Sequence, residues 1–116
     1  MTLREIIETL QAKVLFNNRG DEVAVERAGA SDLMSDVLAS VKPGSLLLTG
    51  LTTPPTVYTA EIGDIPVICY VRGKRPPKET LQLAQQKNVI LLSTDLPMYE
   101  SCGRLYRQGL RGRSEP

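Results

Sequence analysis

Three apolar runs lie between helix-forming stretches, and they constrain this chain more than anything else in it. Ser45-Leu46-Leu47-Leu48-Thr49, Pro66-Val67-Ile68-Cys69-Tyr70-Val71 and Val89-Ile90-Leu91-Leu92 show no polar alternation. A strand with such a run has no face for water and belongs in a sheet covered on both sides. The stretches between the runs read as helices. One follows Thr52-Thr53-Pro54-Pro55, with Thr53 as cap and Val57 and Ala60 inward, and closes at Gly63-Asp64. The next spans Pro77 to Lys87, burying Leu81 and Ala84, with Asn88 as its C-cap. The last spans Leu96 to Gln108, with Met98, Cys102 and Leu105 inward and Gly109 as its stop. Strand, helix, strand in this order implies parallel neighbours and right-handed crossovers. The expected fold is α/β: a small three-layer sandwich with a largely parallel sheet and helices on its faces.

The first half is more varied. Leu3, Ile6, Ile7 and Leu10 form a helical stripe, and Thr2 with Glu5 has capping-box spacing. That start reads as an amphipathic helix and not as an export leader. Lys13–Phe16 reads as a strand, Asn17–Asp21 as a turn, and Glu22–Glu26 as a strand with one wet face. Ser31 or Asp32 then caps a helix with the stripe Leu33, Met34, Val37, Leu38 and Val41, ended by Lys42-Pro43-Gly44. Whether the first two strands join the main sheet is open at this stage. The chain of 116 residues reads as one domain over 1–109, followed by a flexible basic tail over 110–116. From Arg104 onward four arginines stand against one acid.

Composition excludes several chemistries. With no histidine, neither a Ser-His-Asp nor a Cys-His nucleophile system can form. Two cysteines, Cys69 and Cys102, are too few for a four-cysteine metal site in one chain, and they read as small core hydrophobes. No metal or cofactor is expected. No P-loop motif is present. A net charge of +1 argues against a general nucleic-acid surface, and no apolar run approaches membrane-spanning length. The pair Asp32 and Asp36, four apart on one helix, reads as first-turn charge more readily than as an acid–base couple.

Ligands of open parallel sheets bind beyond the carboxyl ends of the strands. The segments expected there are Gly29-Ala30-Ser31-Asp32, Thr49-Gly50-Leu51-Thr52-Thr53, Arg72-Gly73-Lys74-Arg75 and Ser93-Thr94-Asp95. Ser31, Asp32, Thr49, Gly50, Thr52, Thr53, Arg72, Ser93, Thr94 and Asp95 are the candidate ligand-binding residues. Hydroxyls would orient a polar ligand, Arg72 would pair with its anionic group, and Asp32 and Asp95 would accept from ribose hydroxyls or an amine. Helix N-termini after Thr53 and after Lys74-Arg75 would add free N–H groups. Tyr99, Gly103 and Tyr106 form a second stripe on the last helix, a candidate homodimer or partner interface.

The segments Ala30–Leu38, Leu47–Gly50 and Val89–Asp95, with the ending Glu100-Ser101-Cys102-Gly103-Arg104-Leu105-Tyr106, resemble a stand-alone DRTGG domain. The resemblance runs from about Leu3 to Gly109 and extends to the amino-terminal domain of HPr kinase/phosphorylase. It departs at the namesake stretch, reduced here to Thr49-Gly50 followed by Leu51 and Thr52. It implies an α/β ligand-binding or regulatory module, often self-associating; with the strand-end residues above, the expectation is a cytoplasmic, non-enzymatic regulatory module that binds a small anionic metabolite or nucleotide and forms a homodimer. The alternative it implies is an accessory subunit of a hydrogenase-type redox complex, or of a kinase, with no small ligand. Kinase activity does not carry over, because the catalytic domain with its P-loop is absent.

Overall fold

The computed structural model describes residues 1–116. Its central sheet is built on the three apolar runs. Strand β3 (Leu46–Thr49), β4 (Val67–Tyr70) and β5 (Ile90–Ser93) are parallel, and every residue in them is buried. Side chains alternate between two cores. Leu46, Leu48, Val67, Cys69, Ile90 and Leu92 face helix α1 (Leu3–Leu10) and helix α5 (Met98–Arg107). Leu47, Ile68, Tyr70 and Leu91 face α2 (Met34–Ser40), α3 (Pro55–Ile62) and α4 (Lys78–Lys87). Each fully buried leucine or isoleucine contributes about 1.5–3 kcal/mol over its exposed state, so the two-sided runs drive the architecture. The expected three-layer sandwich is the observed one.

The sheet has five strands in the order β1-β5-β4-β3-β2. Strand β1 (Lys13–Phe16) joins it antiparallel beside β5, at one edge. Strand β2 (Ala28–Ala30) joins it parallel beside β3, at the other. The strand expected over Glu22–Glu26 does not form. Its alternation is real, for Val25 is buried and Glu22, Ala24 and Glu26 are exposed. Its backbone, however, pairs with the chain's first residues: Leu3 N–H donates to Val23 O (2.7 Å) and Val25 N–H to Met1 O (2.8 Å). Helix α1 begins at Leu3, so this pairing stops at a single bridge, Thr2 to Ala24.

The strand that does form, Ala28–Ala30, occupies what the sequence presents as a loop. Its side chains are too small to signal a strand, and the ladder to Leu46–Leu48 imposes the conformation. Gly29 packs so closely that a Cβ there would lie 2.5 Å from Val41 Cγ2.

Helix α1 carries the expected capping box: Thr2 Oγ1 accepts from Glu5 N–H, and Glu5 Oε1 accepts from Thr2 N–H. The hydrogen bonds to Thr2 hold the Glu5 carboxyl below its ordinary range. Asn88 ends α4 in the left-handed conformation, as expected. Helix α2 departs from its expected stripe. Only Val37 is buried, while Leu33 and Leu38 are 57% and 47% exposed, because α2 lies at the sheet edge over a three-residue strand. Leu83 and Thr80 are buried on α4 with Ala84, and Leu81 is half-buried.

Beyond Gly109 the chain continues to pack. Leu110 is buried in the α1/α5 core, and Arg111 bridges to Arg27 alongside β2. The Arg27 guanidinium donates to the carbonyls of Gly112 and Glu115, at 2.6 Å each. No helix is long and apolar enough to cross a membrane.

Candidate ligand site at the carboxyl edge of the sheet

Because β2, β3, β4 and β5 are mutually parallel, their carboxyl ends share one edge. Asp32, Gly50, Arg72 and Asp95 follow those ends directly, as the sequence places them. The register sets Thr49 beside Tyr70 and Tyr70 beside Ser93, one row at the rim of the α2/α3/α4 side.

Asp32 ties the first two loops together. Its Oδ1 accepts from Thr49 Oγ1 (3.1 Å) and from Gly50 N–H (2.6 Å). It therefore does not cap α2, whose N-cap is Leu33 with no side-chain bond. Ser31 Oγ instead accepts from Leu33 N–H (3.0 Å), a local turn before the helix. The expectation that Ser31 or Asp32 caps this helix is corrected accordingly. Asp36 is exposed in the first turn of α2.

Arg72 stands over this junction. A Cβ on Gly50 would lie 2.7 Å from Arg72 Nη2 and 3.5 Å from Asp32 Oδ1, so Gly50 leaves the room that the guanidinium fills. The two ion pairs of the molecule are Arg4–Glu22 and Lys87–Glu61, so Arg72 has no carboxylate partner. Its backbone is left-handed (φ 60°), and so is that of Gly73 (φ 69°). Their amides hold this turn to the next loop: Arg72 N–H donates to Leu96 O and Gly73 N–H to Thr94 O, both at 2.8 Å. Asp95 Oδ1 lies 3.2 Å from where a Cβ on Gly73 would stand. The guanidinium is thus placed by a fixed turn between two loops that each carry an aspartate.

Two other candidates, Thr49 and Thr94, have their hydroxyls engaged within the fold. Thr49 is fully buried, and its Oγ1 both donates to Asp32 and accepts from Leu51 N–H. Thr94 is 3% exposed; its Oγ1 donates to Leu10 O (2.6 Å) and accepts from Leu96 N–H (3.2 Å), joining the end of α1 to the edge. Thr52 and Thr53 bond within the fold through their carbonyls, which accept from Thr80 Oγ1 and Thr56 Oγ1, and not through their hydroxyls. Ser93 is 6% exposed at the end of β5.

The expected N–H cluster at α3 is corrected. Pro54 and Pro55 have no N–H, and the amides of Thr56 and Val57 bond to the carbonyls of Thr53 and Pro54. Thr53 is not the cap; Pro54 is. The buried pair Tyr70 OH···Thr56 Oγ1 (2.9 Å) lies behind the rim and was missed by reading Tyr70 as plain core. A tyrosine in the last position of a buried strand was the available signal, since its hydroxyl needs a partner. Burial pushes the Tyr70 hydroxyl up to about 12, against the lowering effect of the Thr56 bond.

Tyr99, Gly103 and Tyr106 are brought together on α5, and they border a trough of about 420 Å³ between α5 and β2.

No family model and no curated protein sequence matches the chain. The fold is nevertheless shared with a solved structure. It is similar to the crystal structure of the CBS and DRTGG domains of the regulatory region of Clostridium perfringens pyrophosphatase, complexed with its activator diadenosine tetraphosphate. The TM-score is 0.75 at 18% identity, over 95% of this chain and 47% of that one. The chain therefore spans about half the length of its structural neighbour.

Proposed function

We propose that this protein is a cytoplasmic, non-enzymatic regulatory module that binds a small anionic metabolite or nucleotide at the carboxyl edge of its sheet and self-associates. The observation that carries this reading is the Arg72 guanidinium, held over Gly50 by a fixed left-handed turn and free of any acid partner. A guanidinium placed in this way is suited to a phosphate or carboxylate. Asp32 uses Oδ1 for the fold, and its other oxygen remains available to accept from a ligand hydroxyl or amine. The fold's occurrence in a regulatory region complexed with a nucleotide activator supports the same reading.

The test is a thermal-shift series with ATP, diadenosine tetraphosphate and pyrophosphate, and adenosine as the uncharged comparison. At a hundredfold excess over Kd, binding adds about 2.7 kcal/mol. With roughly 2.1 cal/mol/K of unfolding entropy per residue, that raises Tm by about 11 °C. Arg72→Ala is expected to remove the shift. Gly50→Ala is expected to weaken binding while leaving stability nearly unchanged, because the new methyl displaces only the far end of Arg72. A shift that survives Arg72→Ala, or no shift with any of the three anions, refutes this site.

A further inference from the structure

The tyrosine stripe of α5 combines features that a solvated helix face does not need. Tyr99 and Tyr106 are 88% and 63% exposed. The trough beside them is lined mainly by apolar groups, Ala28, Ala30, Leu48, Cys102, Leu105 and Leu110, with Arg111 at its border, so an aromatic group seated there would meet a largely apolar surface. Between the tyrosines lies Gly103, where a Cβ would meet nothing within 4 Å. A second helix can approach closely at that point.

The charges bordering the stripe select the occupant. Glu100 and Arg107 are exposed, and neither is in an ion pair. At about 100° per residue they share one flank of α5, and at about 1.5 Å per residue they stand some 10.5 Å apart along it, too far to pair with each other. Their midpoint falls beside Gly103. We propose that this face takes a second copy of the same chain, with α5 packed antiparallel on α5 about a two-fold axis beside Gly103. Each Glu100 then meets Arg107 of the partner subunit, and each Tyr99 meets Tyr106 of the partner subunit. The tyrosines fill the two troughs. The perpendicular two-fold keeps the same flank of both helices on one side of the interface, which brings the opposite charges together. Continuation of the sheet through β2 is the less suitable route, because Arg111 already lies along that edge and its carbonyl accepts from Ala28 N–H.

This proposal deepens the self-association in the function proposed above by naming its surface and register. The test is sedimentation equilibrium of the full chain from micromolar to hundreds of micromolar. The chain is expected to be a dimer. Glu100→Arg alone and Arg107→Glu alone should each weaken it about tenfold, since each creates two like-charge contacts, and the double exchange should restore it to within about threefold. Both positions are exposed, so these variants test docking and not folding. Gly103→Arg, which adds bulk and helix propensity, should give a folded monomer. A wild-type chain that is monomeric throughout overturns both this interface and self-association. A dimer indifferent to the single exchanges, or one that the double exchange fails to restore, overturns this register and leaves self-association standing. Anion binding through Arg72 is read separately and is unaffected by either result.

Discussion

Thr94→Val separates a structural hydroxyl from a ligand-binding one. The sequence places Thr94 among the ligand contacts, but the structure spends its one donor and one of its acceptor positions inside the fold. Its Oγ1 donates to Leu10 O at 2.6 Å and accepts from Leu96 N–H at 3.2 Å. Leu10 is fully buried in the last turn of α1, where carbonyls lack helical partners. Valine keeps the branched shape and leaves that carbonyl unsatisfied in the core. A buried acceptor so orphaned costs about 1–3 kcal/mol. With about 0.24 kcal/mol/K of unfolding entropy for a chain of this length, Tm should fall by roughly 4–12 °C. Urea unfolding should show a lower midpoint at an unchanged slope, since the surface exposed on unfolding is the same. Affinity for an anion bound at Arg72, measured well below the transition, should stay within about twofold, because the loss is one of global stability. A Thr94→Val protein as stable as wild type would show that water satisfies Leu10 and refute this account of the joint. Unchanged stability with lost binding would return Thr94 to the ligand site.

Other outcomes follow from packing and titration. Gly29→Ala should destabilise by about 1–3 kcal/mol in thermal melts, since the added methyl would lie 2.5 Å from Cγ2 of the half-buried Val41; a neutral result would mean that Val41 or β2 gives way freely. Ser101 is fully buried on α5, and its hydroxyl has no partner. Ser101→Ala should therefore raise stability, by up to about 1 kcal/mol, in the same melts; a loss of stability would reveal a partner for the hydroxyl. Burial pushes the Cys69 thiol from 9.0 to about 12 and the Tyr70 hydroxyl from 10.0 to about 12. Both groups stay neutral in the folded chain while the unfolded chain loses their protons first. The stability they contribute is full below pH 9 and is lost as pH rises towards about 12. Melting temperature should fall across that window, with a shallower fall in Cys69→Ala; a flat profile would count against burial as the cause.

The sequence by itself determined the sandwich. Leu46–Leu48, Val67–Val71 and Ile90–Leu92 are apolar at consecutive positions, and only a sheet covered on both faces buries both alternations. It also determined which loops share the edge proposed for the site, because helical crossovers make strands parallel and bring their carboxyl ends together. Thr2 with Glu5, and Asn88, were legible for a local reason: a cap depends on residues within one turn of itself. Tertiary structure decided what local pattern could not carry. Ala28–Ala30 became a strand through its ladder to Leu46–Leu48, while the better-patterned Glu22–Glu26 was stopped after one bridge by the start of α1. Which hydroxyls remain for a ligand was decided the same way. Thr49 is held by Asp32, 17 residues away, and Thr94 by Leu10, 84 residues away. A side chain's hydrogen-bond partner at such separation is set by the packing of layers, and no spacing within a segment reports it. The unpaired guanidinium of Arg72 belongs to that second class, since it depends on Gly50 having no side chain and on no carboxylate standing at ion-pair distance.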